Sequence, residues 1–264
     1  MTGARIERRT LLGAALLTGV AGLTGCADRP PDLPRRDLVP ADGGGGVNPT
    51  PTITPNPTPT PTGTPTPADW KALAESLSGK LLRPGDAGYP VAHQLFDPMY
   101  DSVMPTAVVE CANTADVVKS LEFRARFGLA VVGKSGGHSY VGASTTQGGM
   151  VISVRPISGI SVSGDTARVG AGAPLSDVYS RLAAKGRVIP AGSCPSVGVA
   201  GLALGGGLGL ANRIYGLTCD VITQVEVVTP DGVVRTASPG KEPKLFFACQ
   251  GGGGGTLGVV TAFT

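Results

Sequence analysis

Val132-Gly133-Lys134-Ser135-Gly136-Gly137-His138-Ser139-Tyr140 gathers three glycines, two serines, a lysine and one of the chain's two histidines into nine residues. Read with its upstream neighbours, Gly128 to Ser135 spells a Walker A phosphate loop letter for letter. The local physics contradicts the spelling. A phosphate loop runs from a strand into a helix, so that backbone amides and the helix terminus face the phosphates. Here a helical pattern over Ala115–Phe127 comes first, Leu129–Val132 reads as a short buried strand, and Gly136-Gly137 is a poor helix start. Gly133 to Gly137 also spells G-x-S-x-G, the nucleophile elbow of serine hydrolases. That arrangement needs an acid and then a histidine further along the chain. The only histidines are His93 and His138, and His138, three residues from Ser135, cannot fold back as its base.

Two more glycine-rich segments lie downstream. One runs from Pro190 through Cys194-Pro195-Ser196-Val197-Gly198 and Gly201 to Gly205-Gly206-Gly207-Leu208-Gly209; the other is Gln250-Gly251 to Gly255 with Thr256-Leu257-Gly258-Val259-Val260. Gly253 to Gly258 spells a G-x-G-x-x-G fingerprint. The six residues that follow leave no room for the helix and ribose-binding acid of that motif. Glycine lets a backbone approach a ligand closely and point successive amides at an anion. Three such segments fit one large ligand carrying a pyrophosphate, and they equally fit three tight turns. Composition does not separate these two readings.

The surrounding pattern mixes helices and short strands. Thr106–Cys111 is β-branched and apolar, Thr114 is a plausible N-cap with Asp116 in the first turn, and Gly128 is a natural helix stop. Together with Leu129–Val132 they predict a strand–helix–strand unit. Val151–Val154, Ile160–Ser163 and Ala167–Val169 then read as successive strands, followed by a helix over Leu175–Lys185 with Pro174 in its first turn. Pro230-Asp231-Gly232 is a hairpin turn between Val221–Thr229 and Val233–Thr236, Leu245–Cys249 a short helix, and Val259–Phe263 a strand. The expectation is an α+β fold of two subdomains, 69–148 and 149–264.

The chain has 264 residues, 41 of them glycine, with a formal net charge of +3 and 16% charged residues. That balance gives no electrostatic case for nucleic acid. The 41% apolar fraction supports a real core and excludes a wholly disordered chain. Residues 1–26 read as a leader. Arg5, Arg8 and Arg9 precede an apolar run from Leu11 to Leu23, too short to span a bilayer, and Leu23-Thr24-Gly25-Cys26 resembles a bacterial lipobox with Cys26 as the lipidated residue. Arg8-Arg9 before Thr10-Leu11-Leu12 favours a twin-arginine route over an ordinary secretory signal with incidental arginines. Cleavage before Cys26 removes three arginines and Glu7 and leaves a net charge of +1. Residues 27–68 then read as a Pro/Thr-rich linker, since 12 of the 23 prolines lie between Pro30 and Pro67. Twenty residues of polyproline conformation reach about 60 Å, a stalk between a domain and a membrane surface. None of the five cysteines forms a C-x-x-C pair, and no metal site is expected. Cys111, Cys219 and Cys249 read as buried apolar residues, with a disulfide among them left open in an oxidising compartment. His93 reads as a surface or capping residue, and Trp70, the one tryptophan, as the anchor of the first helix.

The order and spelling of the glycine segments separate the two readings. Gly136-Gly137-His138-Ser139, Gly192-x-Cys194-Pro195-x-Val197-Gly198, Gly205-Gly206-Gly207-x-Gly209, Tyr215-Gly216-Leu217-Thr218-Cys219-Asp220, Val228-Thr229-Pro230-Asp231-Gly232 and the Gly251–Gly255 run into Gly258-Val259-Val260-Thr261 occur in this sequence. From about Asp97 to Thr264 the chain resembles the FAD-binding, PCMH-type domain of the vanillyl-alcohol oxidase superfamily, and within it the berberine-bridge-enzyme-like oxidases. The resemblance implies a two-subdomain FAD-binding fold. It implies that Gly133, Lys134, Ser135, Gly136, Gly137, His138 and Ser139 cradle the FAD pyrophosphate. It also implies that Ser196, Val197, Gly198, Gly201, Gly205, Gly206 and Gly207 line FAD, and that Val259 contacts it through its backbone. His138 would bond to the flavin 8α-methyl and Cys194 to flavin C6. Lys134 stands where many relatives have arginine, which keeps the charge and loses the bidentate fork.

The activity implied is oxidation of an alcohol or carbohydrate-type small molecule by hydride transfer to flavin N5, with dioxygen as acceptor. Export with the flavin already bound agrees with the twin-arginine reading, and it would place the protein as a lipoprotein on the outer face of the cytoplasmic membrane. Relatives continue beyond the position matching Thr264 into a substrate-binding domain that supplies the catalytic base, so no catalytic base is assigned in this sequence. The alternative function is a lipid-anchored FAD-binding module without turnover, or a truncated, non-catalytic fragment lacking its substrate domain.

Overall fold

The computed structural model describes residues 61–264; the leader, the lipobox Cys26 and most of the 27–68 linker lie outside the described residues. The first helix, α1 (Pro67–Ser76), starts two residues inside the stretch read as linker. Thr66 is its N-cap, with its hydroxyl accepting from the Asp69 amide while the Asp69 carboxylate accepts from the Thr66 amide at 2.9 Å. This reciprocal box satisfies two amides that the first turn would otherwise leave bare. Thr62 donates from its amide to the Arg126 carbonyl at 2.9 Å, so the chain is tied to the domain ahead of the helix. Trp70 is buried on α1 against Phe123, ring centroids 4.7 Å apart.

A four-stranded sheet follows. Its strands are β1 (Lys80–Leu82), β2 (Ala107–Glu110), β3 (Val131–Lys134) and β4 (Met150–Ser153), in spatial order β1-β2-β4-β3. β4 pairs parallel to both β2 and β3, and β1 is antiparallel on the edge. The strand–helix–strand expectation therefore holds in sequence but not in pairing, since β4 is inserted between its two strands. This also corrects the subdomain boundary. Met150–Ser153, placed in the second subdomain on sequence, is the buried centre of the first sheet, because a run apolar on both faces is stable only between two strands.

Helix α2 (Tyr89–His93) is short, and helix α3 (Thr114–Phe127) crosses the first sheet. Its N-cap is Asn113, one residue before the expected Thr114, and the Asn113 side chain accepts from the Asp116 amide at 3.0 Å. Asp116 is fully buried and its carboxylate accepts from the amides of Ser78, Gly79 and Ala112, each at 2.9 Å. One side chain so fixes the α1–β1 turn to the β2–α3 turn. Thr114 is free for another use: its hydroxyl donates to Glu226 at 2.9 Å. Gly128 ends α3 in the left-handed region at φ 65°, where a side chain would be strained.

The second sheet is antiparallel throughout and contains β5 (Ile160–Ser163), β6 (Thr166–Gly170), β7 (Val225–Val228), β8 (Val234–Ala237) and β9 (Val259–Phe263), in order β5-β6-β9-β7-β8. The strand from Val221 begins later than its composition suggests, because Thr218–Val221 is taken by a 3₁₀ turn. The Pro230-Asp231-Gly232 turn joins β7 to β8 as expected, with Gly232 at φ 77°. Helices α4 (Leu175–Ala183), α5 (Val199–Leu204), α6 (Asn212–Tyr215) and α7 (Pro243–Ala248) and a 3₁₀ turn at Pro98–Tyr100 complete the elements of the described residues, and Pro174 is the N-cap of α4 rather than part of it. Thr261 and Arg168 join Thr114 on the Glu226 carboxylate at 2.6 and 3.0 Å, which links the first helix layer to the second sheet. A single cluster of buried apolar residues, Val109 and Ile152 to Val227 and Phe263 among them, runs through both sheets.

Candidate cofactor-binding site

The loop after β3, the N-terminal side of α5 and the segment entering β9 enclose a cavity of about 590 Å³. Cofactor sites typically have ~300–1,000 Å³. Gly133, Lys134, Ser135, Gly136, Gly137, His138 and Ser139 line it, with Cys194, Val197, Gly198, Gly201 and Val259. So do Gly254, Gly255 and Gly258 of the third glycine segment, which closes over α5 through a hydrogen bond from the Gly253 amide to the Leu204 carbonyl at 2.8 Å. All three glycine segments thus meet at one site or its immediate support.

The backbone is pressed together where the glycines demand it. A Cβ on Gly136 would collide with the main-chain nitrogen of Gly198, and a Cβ on Gly198 with Ser135 and the Gly136 nitrogen. Gly201, by contrast, faces open space: a Cβ there meets nothing within 4 Å. Among the described residues the amides of Gly136, Gly137, His138 and Ser139 have no acceptor, and Gly137 adopts φ 71°. Successive unpaired amides around a left-handed glycine form an anion-binding concavity. The residues present therefore fit a dinucleotide with a pyrophosphate: bare amides for the anion and glycine-made room beside α5.

The side chains of the loop have other duties. The Lys134 ammonium donates to the Ala92 carbonyl at 2.8 Å and to that of Gln94, while the residue itself lines the cavity. Burial holds its pKa down to about 8, against the pull of Glu110. The Ser135 hydroxyl donates to the Ala171 carbonyl at 2.7 Å, and Ser139 Oγ accepts from the Ala143 amide at 3.1 Å. Gly205, Gly206 and Gly207 do not reach the cavity wall. They make the turn after α5; Gly206 and Gly207 have φ 101° and 85°, and a Cβ on Gly207 would collide with Thr218.

His138 and Cys194, 56 positions apart in the sequence, come together at Ser196. His138 Nε2 lies 3.0 Å from Ser196 Oγ, and Cys194 Sγ lies 3.9 Å from the same oxygen. Cys194 is exposed and free. Burial, with the Arg155 charge adding to it, holds the His138 pKa below the usual histidine value, against a Ser196 backbone hydrogen bond that favours the protonated ring. The imidazole is therefore neutral at neutral pH, the form that acts as a nucleophile. Cys111 is the opposite case: burial pushes its thiol up to about 12. Cys219 and Cys249 are also buried and free, and burial raises both thiols. No disulfide joins these three cysteines.

Phe96 was missed on sequence. Its ring stacks on His138 with centroids 4.0 Å apart and planes 20° from parallel, and its amide donates to the Gly137 carbonyl at 3.0 Å. It precedes the stretch that carries the resemblance, and no spacing marks it. His93 is not a surface residue: it is buried, stacked on Tyr89 at 4.9 Å, with Nδ1 unpaired.

Residues 105–238 match the family model described as an FAD binding domain. An uncharacterized FAD-linked oxidoreductase, YgaK of Bacillus subtilis, is 36% identical over 194 residues, which is 71% of this chain and 43% of that protein. The structure of a BBE-like protein of Physcomitrella patens superposes with a TM-score of 0.71 at 34% identity, over 74% of this chain and 43% of the other. The glucooligosaccharide oxidase of Acremonium strictum, described with a 6-S-cysteinyl, 8α-N1-histidyl FAD, superposes at 0.69 with 28% identity, over 73% and 41%. The chain spans less than half the length of these relatives. It belongs to the FAD-binding domain family of the vanillyl-alcohol oxidase and berberine-bridge-enzyme-like FAD-linked oxidoreductases, and its cofactor is FAD.

Proposed function

We propose that this chain is the flavin-holding part of an oxidase that carries FAD on two covalent bonds, to His138 and Cys194, and oxidises an alcohol or sugar-type small molecule. The convergence of both side chains on the Ser196 hydroxyl, at the wall of the glycine-lined cavity, carries the reading. The 8-methyl group and C6 belong to the same benzenoid ring of the flavin, so two tethers must reach it from neighbouring positions. When bound, the flavin supplies a hydride acceptor at N5 and passes the electrons to dioxygen. The chain's own residues hold and orient it. The four unpaired amides from Gly136 to Ser139 receive the pyrophosphate, Phe96 fixes the plane of the attaching imidazole, and α5 with the Gly254–Val260 segment walls the cavity from water. The glucooligosaccharide oxidase supports both the doubly tethered cofactor and the sugar class of substrate.

Purified protein is expected to be yellow, with the colour staying in the pellet after acid precipitation. Colourless protein would remove the cofactor reading for this chain. Flavin released wholly into the supernatant would leave FAD binding standing and end the covalent part.

The proposal extends to location. A leader over residues 1–26, a lipidated Cys26 and a Pro/Thr-rich stalk would hold the domain on the outer face of the bacterial cytoplasmic membrane. Cys26→Ser is then expected to move the protein out of the membrane fraction. A variant that stays in that fraction would contradict the anchor.

A further inference from the structure

The imidazole of His138 is held at two points that the covalent reading does not use. Phe96 covers one face of the ring, nearly parallel at 4.0 Å. Ser196 Oγ sits at 3.0 Å from Nε2, and the backbone of the same residue also hydrogen-bonds the ring. A neutral imidazole carries its proton on one nitrogen and its lone pair on the other, and a hydrogen bond at one nitrogen selects which. A hydroxyl can accept from N–H or donate to a bare nitrogen; Cys194 Sγ, 3.9 Å from the same oxygen, is a second partner that can take the hydroxyl proton and leave Oγ to accept from Nε2–H.

We propose that Ser196 is a positioning residue for flavin attachment: its hydroxyl keeps the His138 proton on Nε2, so that Nδ1 presents the lone pair that bonds to the flavin methyl carbon. This rests on the proposed attachment at His138. A bond forms between Nδ1 and the methyl carbon, and one C–H bond of the methyl group breaks. The Nε2 proton is also released, which leaves Nε2 with a lone pair and the attached imidazole neutral. The two protons and two electrons removed reduce dioxygen to hydrogen peroxide. Ser196, accepting from Nε2–H before attachment, turns to donate to Nε2 afterwards, so the same residue suits both states. Phe96 keeps the ring from turning over and exchanging the two nitrogens.

The test compares the full-length wild type, Ser196→Ala and Ser196→Thr, each purified with the flavin it acquires on expression. Two things are measured: the fraction of the His138 peptide carrying flavin, and, after acid hydrolysis, the ratio of the Nδ1- and Nε2-linked histidyl-flavin isomers. Wild type is expected to give the Nδ1 isomer alone. Losing one hydrogen bond in Ser196→Ala shifts the isomer ratio toward Nε2, or lowers His138 attachment, by about fivefold. Ser196→Thr restores the wild-type pattern, and attachment at Cys194 persists in all three. A purely structural role for Ser196 would lower both attachments together and leave the isomer ratio unchanged, and that result overturns the proposal. So does a Ser196→Ala protein with wild-type attachment and isomer. A wild type with no flavin on His138 is a different failure: it removes the attachment reading itself, and this inference with it.

Discussion

Gly201→Leu is expected to purify as a folded protein without flavin. Gly201 lies inside α5 and on the cavity wall, and a Cβ there meets no atom within 4 Å. The new side chain therefore starts from an unobstructed Cβ and extends at the wall of the cavity proposed to hold the cofactor. Leucine in place of glycine inside a helix adds up to ~1 kcal/mol of local stability. Function and fold thus move in opposite directions, which few substitutions of a ligand-contacting residue do. Thermal unfolding by circular dichroism checks the fold, and the visible flavin absorption relative to wild type checks the cofactor. A variant with the full flavin complement would mean that FAD does not lie against α5. Gly198→Ala makes a useful contrast. There the added atom strikes Ser135 and the Gly136 nitrogen, so fold and flavin are expected to fail together.

Removing both proposed tethers is expected to have the second large effect. Cys194→Ala is expected to leave one covalent bond and a flavin that still survives acid precipitation. His138→Ala combined with Cys194→Ala is expected to turn retention into an ordinary binding equilibrium, so that the flavin is lost on gel filtration or dialysis, or is never acquired. Both side chains stand on the cavity wall, and neither is buried in the core, so the double variant is expected to fold. Flavin from the double variant that stays with acid-denatured chain would point to an attachment at some other residue.

The site was more legible in the sequence than its supports were. His138 and Cys194 stand in short, specific strings, and the structure brings them to one hydroxyl. The glycine runs were legible as a class but not one by one. Gly201 gives room, Gly136 and Gly198 permit two backbones to touch, and Gly206 and Gly207 only turn the chain; a string of identical letters cannot divide these duties. The contacts of Lys134 were not legible, because no local spacing shows that its ammonium reaches the carbonyls of Ala92 and Gln94, 42 and 40 positions upstream. Phe96 and α5 were invisible for different reasons. Phe96 acts through a stacking partner 42 positions away, and α5 (Val199–Leu204) is too short and glycine-bearing for helical periodicity to emerge. The displaced subdomain boundary is of the same kind. Nothing within Met150–Ser153 states which sheet it joins, because its neighbours β2 and β3 are fixed by long-range pairing.

Digestion of the purified wild type and tandem mass spectrometry of its flavin peptides tests the central claim most directly. The account predicts a flavin cross-link joining the peptide that contains His138 to the peptide that contains Cys194. Flavin found on neither residue, in protein that is yellow and folded, would contradict it.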